Sequence, residues 1–336
     1  MPMGRNGSVG MVERSPFVDL MGYHSVNIKL GALCGLFSVM LLFCLLTSRR
    51  FRKRRMLIIT LAVADTMNCI GIFLMGIHRF GLYEGVLLTG NFKKETSWTC
   101  AQQSWLLVKT IGDVWPPIVQ IFMGAEQLCA AYSRWQSKRR SQTLVASSVV
   151  FVTTVIGLCY LSAFVSRTGG YVKYYCGRKA TFGRVLSGFI YAHNVAGYAS
   201  GVLLNSLAYR KMTEVSRKCS IESRVKDRRI RQVRSYLVVS TISTILVSIP
   251  NCLSMFSILI TAVQDHISKP AVWATCINSG INLFVYLILD RELRQHVKSL
   301  WTRDKEDSID MDEEEEEDML LKKQSMDRSL LSENRF

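Results

Sequence analysis

Several ionisable and amide side chains of this sequence stand inside otherwise apolar stretches. Asp65 lies in one such stretch, and Asn278 and Asn282 lie in another. An ionisable group within an apolar helix bundle is energetically costly and is usually retained for function. With a rise of 1.5 Å per residue, Asp65 and Asn282 lie at similar depths from one end of their helices, roughly 14 and 12 Å. We expect these three side chains to form a hydrated network that holds a Na⁺ ion, with simple interhelical hydrogen bonding as the alternative.

Lys109 and Asp113 are a second pair of charges within an apolar stretch, spaced i, i+4. This spacing places both side chains on one helix face, where they can form an ion pair. The alternative is that one of them contacts a ligand. Asn278, Asn282 and Tyr286 share a face by the same periodicity, which predicts a polar stripe along the last apolar stretch.

These side chains belong to seven charge-poor runs, each long enough to cross a bilayer as a helix. The runs cover residues 30–47, 56–78, 104–132, 143–165, 185–208, 236–264 and 271–289. Only helices or closed barrels can cross a membrane, and the strand-like alternation of a barrel is missing from the sequence. The sequence therefore predicts an all-α membrane protein, a seven-transmembrane helix bundle over residues 30–289. It excludes an ordinary soluble enzyme, a secreted disulfide scaffold and a disordered chain.

Basic residues predict the orientation of the bundle. The loops after the first, third and fifth runs contain 20 Lys and Arg residues, and the opposite loops contain fewer than half as many. We therefore expect the N-terminus outside the cell and the C-terminus in the cytosol. A formal net charge of +16 is also compatible with nucleic-acid binding. Because the basic residues sit at the ends of spans, the lipid bilayer is the predicted partner and nucleic acid is not.

The outer segments contain two candidate modification sites. Residues 1–29 are expected to be extracellular, and Asn6 begins an Asn-Gly-Ser triplet that makes it a glycosylation candidate. Cys100 and Cys176 are the only cysteines on the predicted outer side. Since disulfides form in oxidising compartments, these two cysteines are predicted to pair.

The inner segment after the seventh run divides into two parts. Over residues 290–301, Leu293, Val297 and Leu300 recur at helical spacing and predict an amphipathic helix at the membrane interface. Residues 302–336 hold 13 of the 26 acidic residues and are predicted to be a disordered cytosolic tail.

Prolines interrupt two of the predicted spans. Pro250 lies near the middle of the sixth run and leaves the carbonyl of Leu246 without its helical donor, which predicts a kink and a hinge. Pro116 and Pro117 predict a similar break in the third run.

Polar and aromatic side chains also gather in the outer halves of the third, fifth, sixth and seventh runs. Polar groups in a mostly apolar pocket are the general pattern of small-ligand sites. The candidate ligand-binding residues are Lys109, Asp113, Tyr191, His193, Asn194, Phe256 and Trp273.

Three motifs carry a resemblance to rhodopsin-like seven-helix G-protein-coupled receptors. Leu61-Ala62-Val63-Ala64-Asp65 is similar to the second-helix motif of that family. The stretch from Asn278 to Tyr286 is similar to its Asn-Ser-x-x-Asn-Pro-x-x-Tyr motif, with Leu283 in place of the proline. Glu126-Gln127-Leu128 resembles the Glu-Arg-Leu of nematode serpentine chemoreceptors, the srsx-like group.

The resemblance implies a receptor that converts binding of an extracellular ligand, a small chemosensory cue, into activation of a heterotrimeric G protein. The sixth helix would move in this step. The implied switch residues are Asp65, Glu126, Gln127, Pro250, Asn282 and Tyr286, with Gln127 where the family has an arginine that contacts the G protein. The resemblance also implies a receptor kinase and arrestin as partners of the tail, and a location in the plasma membrane, sensory cilia included.

Other functions remain open at this point. A neuropeptide or hormone receptor would have the same fold, and a channel or transporter is the alternative from another class. An enzyme is not expected, because neither a His-Glu-x-x-His motif nor paired catalytic carboxylates occur. No cofactor is expected either, since the seventh run lacks the lysine that a retinal pigment needs.

Overall fold

The computed structural model describes residues 14–92, 94–132, 138–218, 224–256 and 264–302. These residues form helices and no β-strand; a single isolated backbone bridge joins Glu95 and Val172. The α-helices are α1 (Arg14–Thr47), α2 (Arg49–Arg54), α3 (Met56–Thr89), α4 (Ser97–Ala101), α5 (Ser104–Tyr132), α6 (Lys138–Val165), α7 (Arg178–Lys218), α8 (Arg224–Ser243), α9 (Ile249–Phe256), α10 (Gln264–Leu289) and α11 (Arg291–Thr302). A short 3₁₀ turn (Ser166–Thr168) follows α6, and a π-helical segment (Thr244–Ser248) joins α8 to α9.

Six helical segments of the described chain are long and apolar enough to cross a membrane. They are Phe17–Thr47, Met56–Thr89, Ser104–Tyr132, Ser141–Thr168, Ile230–Met255 and Pro270–Leu289. The protein is therefore an all-α, multi-pass membrane protein, as the sequence predicts. The apolar side chains that α1 and α6 leave exposed, such as Phe43 and Val150, form the kind of surface that lipid covers.

The helices follow the predicted spans closely but not everywhere. The third span coincides with α5, and the second, fourth and seventh spans lie inside α3, α6 and α10. The first helix begins at Arg14, 16 residues before the expected start of the span at residue 30. The fifth span, 185–208, lies in α7, which is not among the six apolar helices. The sixth span falls on α8, the π-helical segment and α9, and its last residues lie outside the described part of the chain.

Glycines allow two pairs of helices, α3 with α5 and α5 with α7, to approach each other closely. A Cβ atom at Gly112 of α5 would lie 2.3 Å from the Cα atom of Asn68 in α3, and one at Gly71 would lie 2.6 Å from the Cα atom of Lys109. Likewise, a Cβ atom at Gly197 of α7 would lie 2.5 Å from the Cβ atom of Pro117. Small residues at such contacts let backbones pack together in membrane proteins. The close contact of α3 with α5 places their polar side chains within bonding distance.

We call the end of the bundle with the Cys100–Cys176 bridge the disulfide end, and the opposite end the α11 end. At the α11 end, Asp290 begins α11 as an N-cap, because its Oδ1 accepts bonds from the backbone amides of Glu292 (3.0 Å) and Leu293 (3.2 Å). Leu293 is buried, whereas Arg294 and Lys298 are exposed. The helix is thus amphipathic, over the stretch that the sequence indicates.

Candidate functional site

A chain of hydrogen-bonded polar side chains runs through the interior of the bundle. It begins at Asp65 in α3, whose two carboxylate oxygens accept bonds from Ser279 (2.9 Å) and Asn282 (2.7 Å) of α10. Asn68, one turn further along α3, donates to the Ser279 hydroxyl at 3.1 Å. All four side chains are at most 4% exposed. The structure therefore brings Asp65 and Asn282 together, as their matched depths indicate.

The chain continues towards the disulfide end through three charged residues. Lys109 Nζ donates to Asn68 Oδ1 at 2.9 Å and also pairs with the Asp113 carboxylate. The second oxygen of Asp113 pairs with Arg178 Nη1 at 2.7 Å. We call these seven residues the polar chain: Asp65, Asn68, Lys109, Asp113, Arg178, Ser279 and Asn282. It contains two acidic and two basic side chains, so its formal charges balance.

Of the two interpretations of the Lys109 and Asp113 spacing, the structure has the ion pair. The i, i+4 spacing on α5 explains that contact, but Asn68 and Arg178 join it from distant parts of the sequence. Both were missed as members of this site. The only signal for Arg178 was its position two residues after the disulfide cysteine Cys176.

The predicted disulfide joins Cys100 and Cys176, with a Cα–Cα distance of 5.1 Å. Cys100 lies on the short helix α4, and Cys176 lies in the loop that leads into α7. The bridge therefore holds that loop against the end of α5 and places Arg178 above Asp113. Soon after, Gly183 has φ 80°, a left-handed conformation that side chains disfavour, and it interrupts α7 near its start.

Positive charge is concentrated at the disulfide end. Burial lowers the pKa of Lys179, and the neighbouring charges of Arg178 and Arg184 lower it further. The Arg178 guanidinium also lies over the ring of Tyr191, 4.8 Å from its centroid. Lys109 and Asp113 belong to the polar chain, and Tyr191 is a further predicted ligand-binding residue that lies directly beside it.

The remaining ligand-binding candidates do not gather around Asp113. His193 Nε2 lies 3.1 Å from the carbonyl oxygen of Val114, and its ring packs against Phe151 and Phe189 between helices. Trp273 Nε1 donates to Asn27 Oδ1 of α1 at 2.9 Å. Asn194 is buried. For Phe256 the structure describes only its place as the last residue of α9, and Asn6 lies outside the described residues.

Near the α11 end, two predicted switch residues are buried with polar atoms that no described residue satisfies. Gln127 is 3% exposed, and its Nε2 has no hydrogen-bond partner. Tyr286 is 2% exposed, and its hydroxyl also has none. Glu126 is partly buried. Buried polar atoms without partners are uncommon in proteins, and water, an ion or a group that moves into place can satisfy them.

Pro250 lies directly after the π-helical segment, as the second residue of α9. A proline removes one backbone hydrogen bond of a helix. A π-turn accommodates such an interruption in the series of backbone hydrogen bonds. The break predicted at Pro250 is therefore present as a change of helix type. In contrast, α5 continues from Ser104 to Tyr132 through Pro116 and Pro117.

A buried ion cluster at the α11 end was not predicted from the sequence. Arg55, at the start of α3, pairs with Asp290 and with Glu292 Oε2 at 2.8 Å, although it is only 8% exposed. The partners are more than 230 positions apart, so no local pattern could have indicated the contact. The cluster ties α11 to the end of α3.

The residues around Asp65 offer the oxygen ligands that a hard cation such as Na⁺ would need. Asn278, the third predicted ligand, is buried, and its Oδ1 has no hydrogen-bond partner among the described residues. An acceptor without a donor fits a cation or a water molecule. The sodium site stays a prediction.

No family model matches the sequence, and no curated protein matches it either.

Proposed function

We propose that the protein is a seven-helix receptor of the G-protein-coupled type that binds an extracellular ligand and activates a heterotrimeric G protein. In this proposal the disulfide end faces outside, the α11 end faces the cytosol, and the receptor acts at the plasma membrane. The basic residues next to α2 and the acidic tail would then lie on the cytosolic side. The ligand would be a small chemosensory cue.

The proposal requires α7, which contains the fifth predicted span, to cross the membrane in addition to the six apolar helices. Residues 185–208 of α7 carry no Asp, Glu, Lys or Arg. Its exposed side chains there are apolar, among them Val185 and Leu203, whereas Asn194 and Asn205 are buried. Lipid would therefore contact an apolar face, and both asparagines would be kept away from it.

The polar chain is the observation that carries the proposal. It connects Arg178 at the disulfide end to Asp65 and Asn282 in the middle of the bundle. A ligand that binds one packing of these side chains better than another would shift the population towards it. The π-helical segment and Pro250 give the sixth span a point at which its inner half can move. Gln127 and Tyr286 would find their missing partners in the active packing.

The test is expression with a promiscuous G protein and a calcium readout, screened against small odorants and peptides. Asp65→Asn should impair the ligand-driven response while surface expression is retained, because it removes the charge that binds Ser279 and Asn282. Thr153→Val is the matched control, since its exposed hydroxyl bonds only within α6. Normal agonist responses from both Asp65→Asn and Tyr286→Phe would contradict the mechanism.

Gln127→Arg examines the inner end of the same mechanism. An arginine at this buried position could pair with the partly buried Glu126, and a contact worth about 1 kcal/mol would shift the inactive population several-fold. We expect a measurable change in basal signalling. Unchanged basal signalling would remove Gln127 from the switch.

The polar chain also favours a second candidate function, that of a channel or transporter, because chains of buried ionisable residues occur in ion pathways. A channel or transporter would pass ions or solute in liposomes that contain the purified protein and no G protein. We expect no such flux.

A further inference from the structure

Arg79 lies near the disulfide end of α3, among aromatic side chains. Its guanidinium carbon is 5.2 Å from the ring centroid of Trp105 and 5.4 Å from that of Tyr175. Its Nε is buried and has no hydrogen-bond partner, and Arg79 forms no ion pair with any described carboxylate. Stacking on rings leaves the in-plane N–H groups of a guanidinium available to an acceptor.

Trp105 is a second donor without a partner at the same place. It is 4% exposed, and its indole Nε1 forms no hydrogen bond within the described part of the chain. Most buried donors in proteins are paired, and the indole N–H can only donate. Two adjacent buried donors thus lack an acceptor.

The charges around Arg79 favour an anion as the missing acceptor. The polar chain is formally balanced, because Lys109 and Arg178 offset Asp65 and Asp113. Arg79 lies outside this balance and has no described carboxylate within ion-pair distance. The buried Glu95 lies beside the Cys100–Cys176 bridge and has an interaction of its own. Lys173 adds a further positive charge, with its Nζ 5.7 Å from the Tyr175 ring centroid. A neutral acceptor would satisfy the N–H groups but would leave the charge of Arg79 uncompensated.

The disulfide loop covers the Arg79 side chain. A Cβ atom at Gly177 would lie 3.9 Å from Arg79 Nη2 and 3.0 Å from the Tyr175 ring. The Cys176 bridge therefore holds Tyr175 and Gly177 against the guanidinium. The aromatic rings form apolar walls next to the two donors, which suits an acceptor group attached to an apolar body.

We propose that Arg79 and Trp105 bind the carboxylate of a small organic acid whose apolar part packs against Trp105 and Tyr175. This inference names the ligand class of the proposed receptor and rests on that proposal for its biological meaning. The site itself requires only the bundle and its disulfide. Arg79 can donate two parallel hydrogen bonds to the carboxylate, and the indole N–H supplies a third donor.

The experiment measures binding to the full-length protein, purified in lipid nanodiscs without G protein. The probes are 3-phenylpropanoate and octanoate, each compared with its neutral amide, and the readout is the shift of the thermal-unfolding midpoint. We expect both carboxylates to bind at least tenfold more tightly than their amides, because only the anion compensates Arg79. Arg79→Gln should weaken carboxylate binding on the order of tenfold to a hundredfold, and it should weaken amide binding much less, because the amide loses hydrogen bonds but no charge pairing.

Two further variants keep the test decisive. Trp105→Phe retains the ring and removes the N–H, so it should weaken carboxylate binding several-fold even if Arg79→Gln does not fold. Arg167→Gln is the matched control, because Arg167 is exposed and stacks on Phe164 at 4.1 Å, away from the site. It should leave binding unchanged.

Failure of the inference can be distinguished from failure of the proposed function. Equal affinities for acid and amide, unchanged binding by Arg79→Gln and Trp105→Phe, or no binding of either carboxylate in the millimolar range would overturn the anion site. A receptor that signals with a neutral agonist would still stand in that case. Conversely, carboxylate binding that never activates a G protein would support the site and contradict the receptor proposal.

Discussion

Asp113 holds two positive charges together, so its neutralisation should destabilise the bundle. In Asp113→Asn, Lys109 remains buried at 6% exposure without its counterion. Removing one partner of a buried ion pair costs about 3–5 kcal/mol. The bond from Lys109 Nζ to Asn68 at 2.9 Å is present in both proteins, so it does not change this difference. The expected loss is therefore about 3–5 kcal/mol, a factor of roughly 150 to 5,000 in the ratio of folded to unfolded protein.

Thermal unfolding of the purified protein in nanodiscs measures this loss, together with surface expression in cells. The double variant Asp113→Asn/Lys109→Met also removes the more deeply buried of the two charges that lose their partner, because the side chain of Lys109 is 7% exposed and that of Arg178 is 20% exposed. It should recover most of the lost stability. Asp19→Asn is the control, since Asp19 is an exposed carboxylate on α1. The reasoning is wrong if Asp113→Asn unfolds at the wild-type temperature, or if the double variant is as unstable as Asp113→Asn.

Three further changes test other contacts. Cys100→Ser should reduce surface expression, with a loss of about 2–4 kcal/mol, and replacing both half-cystines should be no worse; additive losses would contradict a single bridge. Gly112→Val should prevent the close contact of α5 with α3 and abolish surface expression, whereas Gly81→Ala on α3 has open space around it and should express normally. Arg55→Ala should release α11, which would appear as faster backbone hydrogen exchange in that helix. Arg52→Ala, at an exposed position, should leave the exchange rate of α11 unchanged. Equal exchange rates in the two variants would mean that the ion cluster does not hold α11.

The third predicted span and the disulfide illustrate which features of the structure can be predicted from the sequence. Residues 104–132 match α5 because a charge-poor run has sharp polar boundaries, and its inner charges pair within the same helix. The Cys100–Cys176 bridge could be predicted because the other cysteines fall in spans or in a cytosolic loop. Both inferences use only local composition and position along the chain.

The missed features depend on contacts between distant residues. The predicted first span begins at residue 30 because Lys29 ends the charge-poor run, whereas α1 begins at Arg14. His24 and Asn27 lie in the additional turns and are buried, and Asn27 binds His24 and Trp273. The local sequence around Arg178 and Arg55 does not reveal the acidic residues that they meet. Such partners follow from helix packing, which hydropathy does not specify.

The π-helical segment has a consequence for how the sixth span can rearrange. A π-turn holds one residue more than an α-turn, so its conversion to α-helix would advance α9 by one position. One position corresponds to a rotation of about 100° and a translation of about 1.5 Å. Asn251, now buried and bonded to the Val247 carbonyl at 2.8 Å, would turn away from its present neighbours, and the exposed Leu253 would change its environment too. The helix can thus exchange the face that it presents to the bundle by a screw motion, without any change in its tilt.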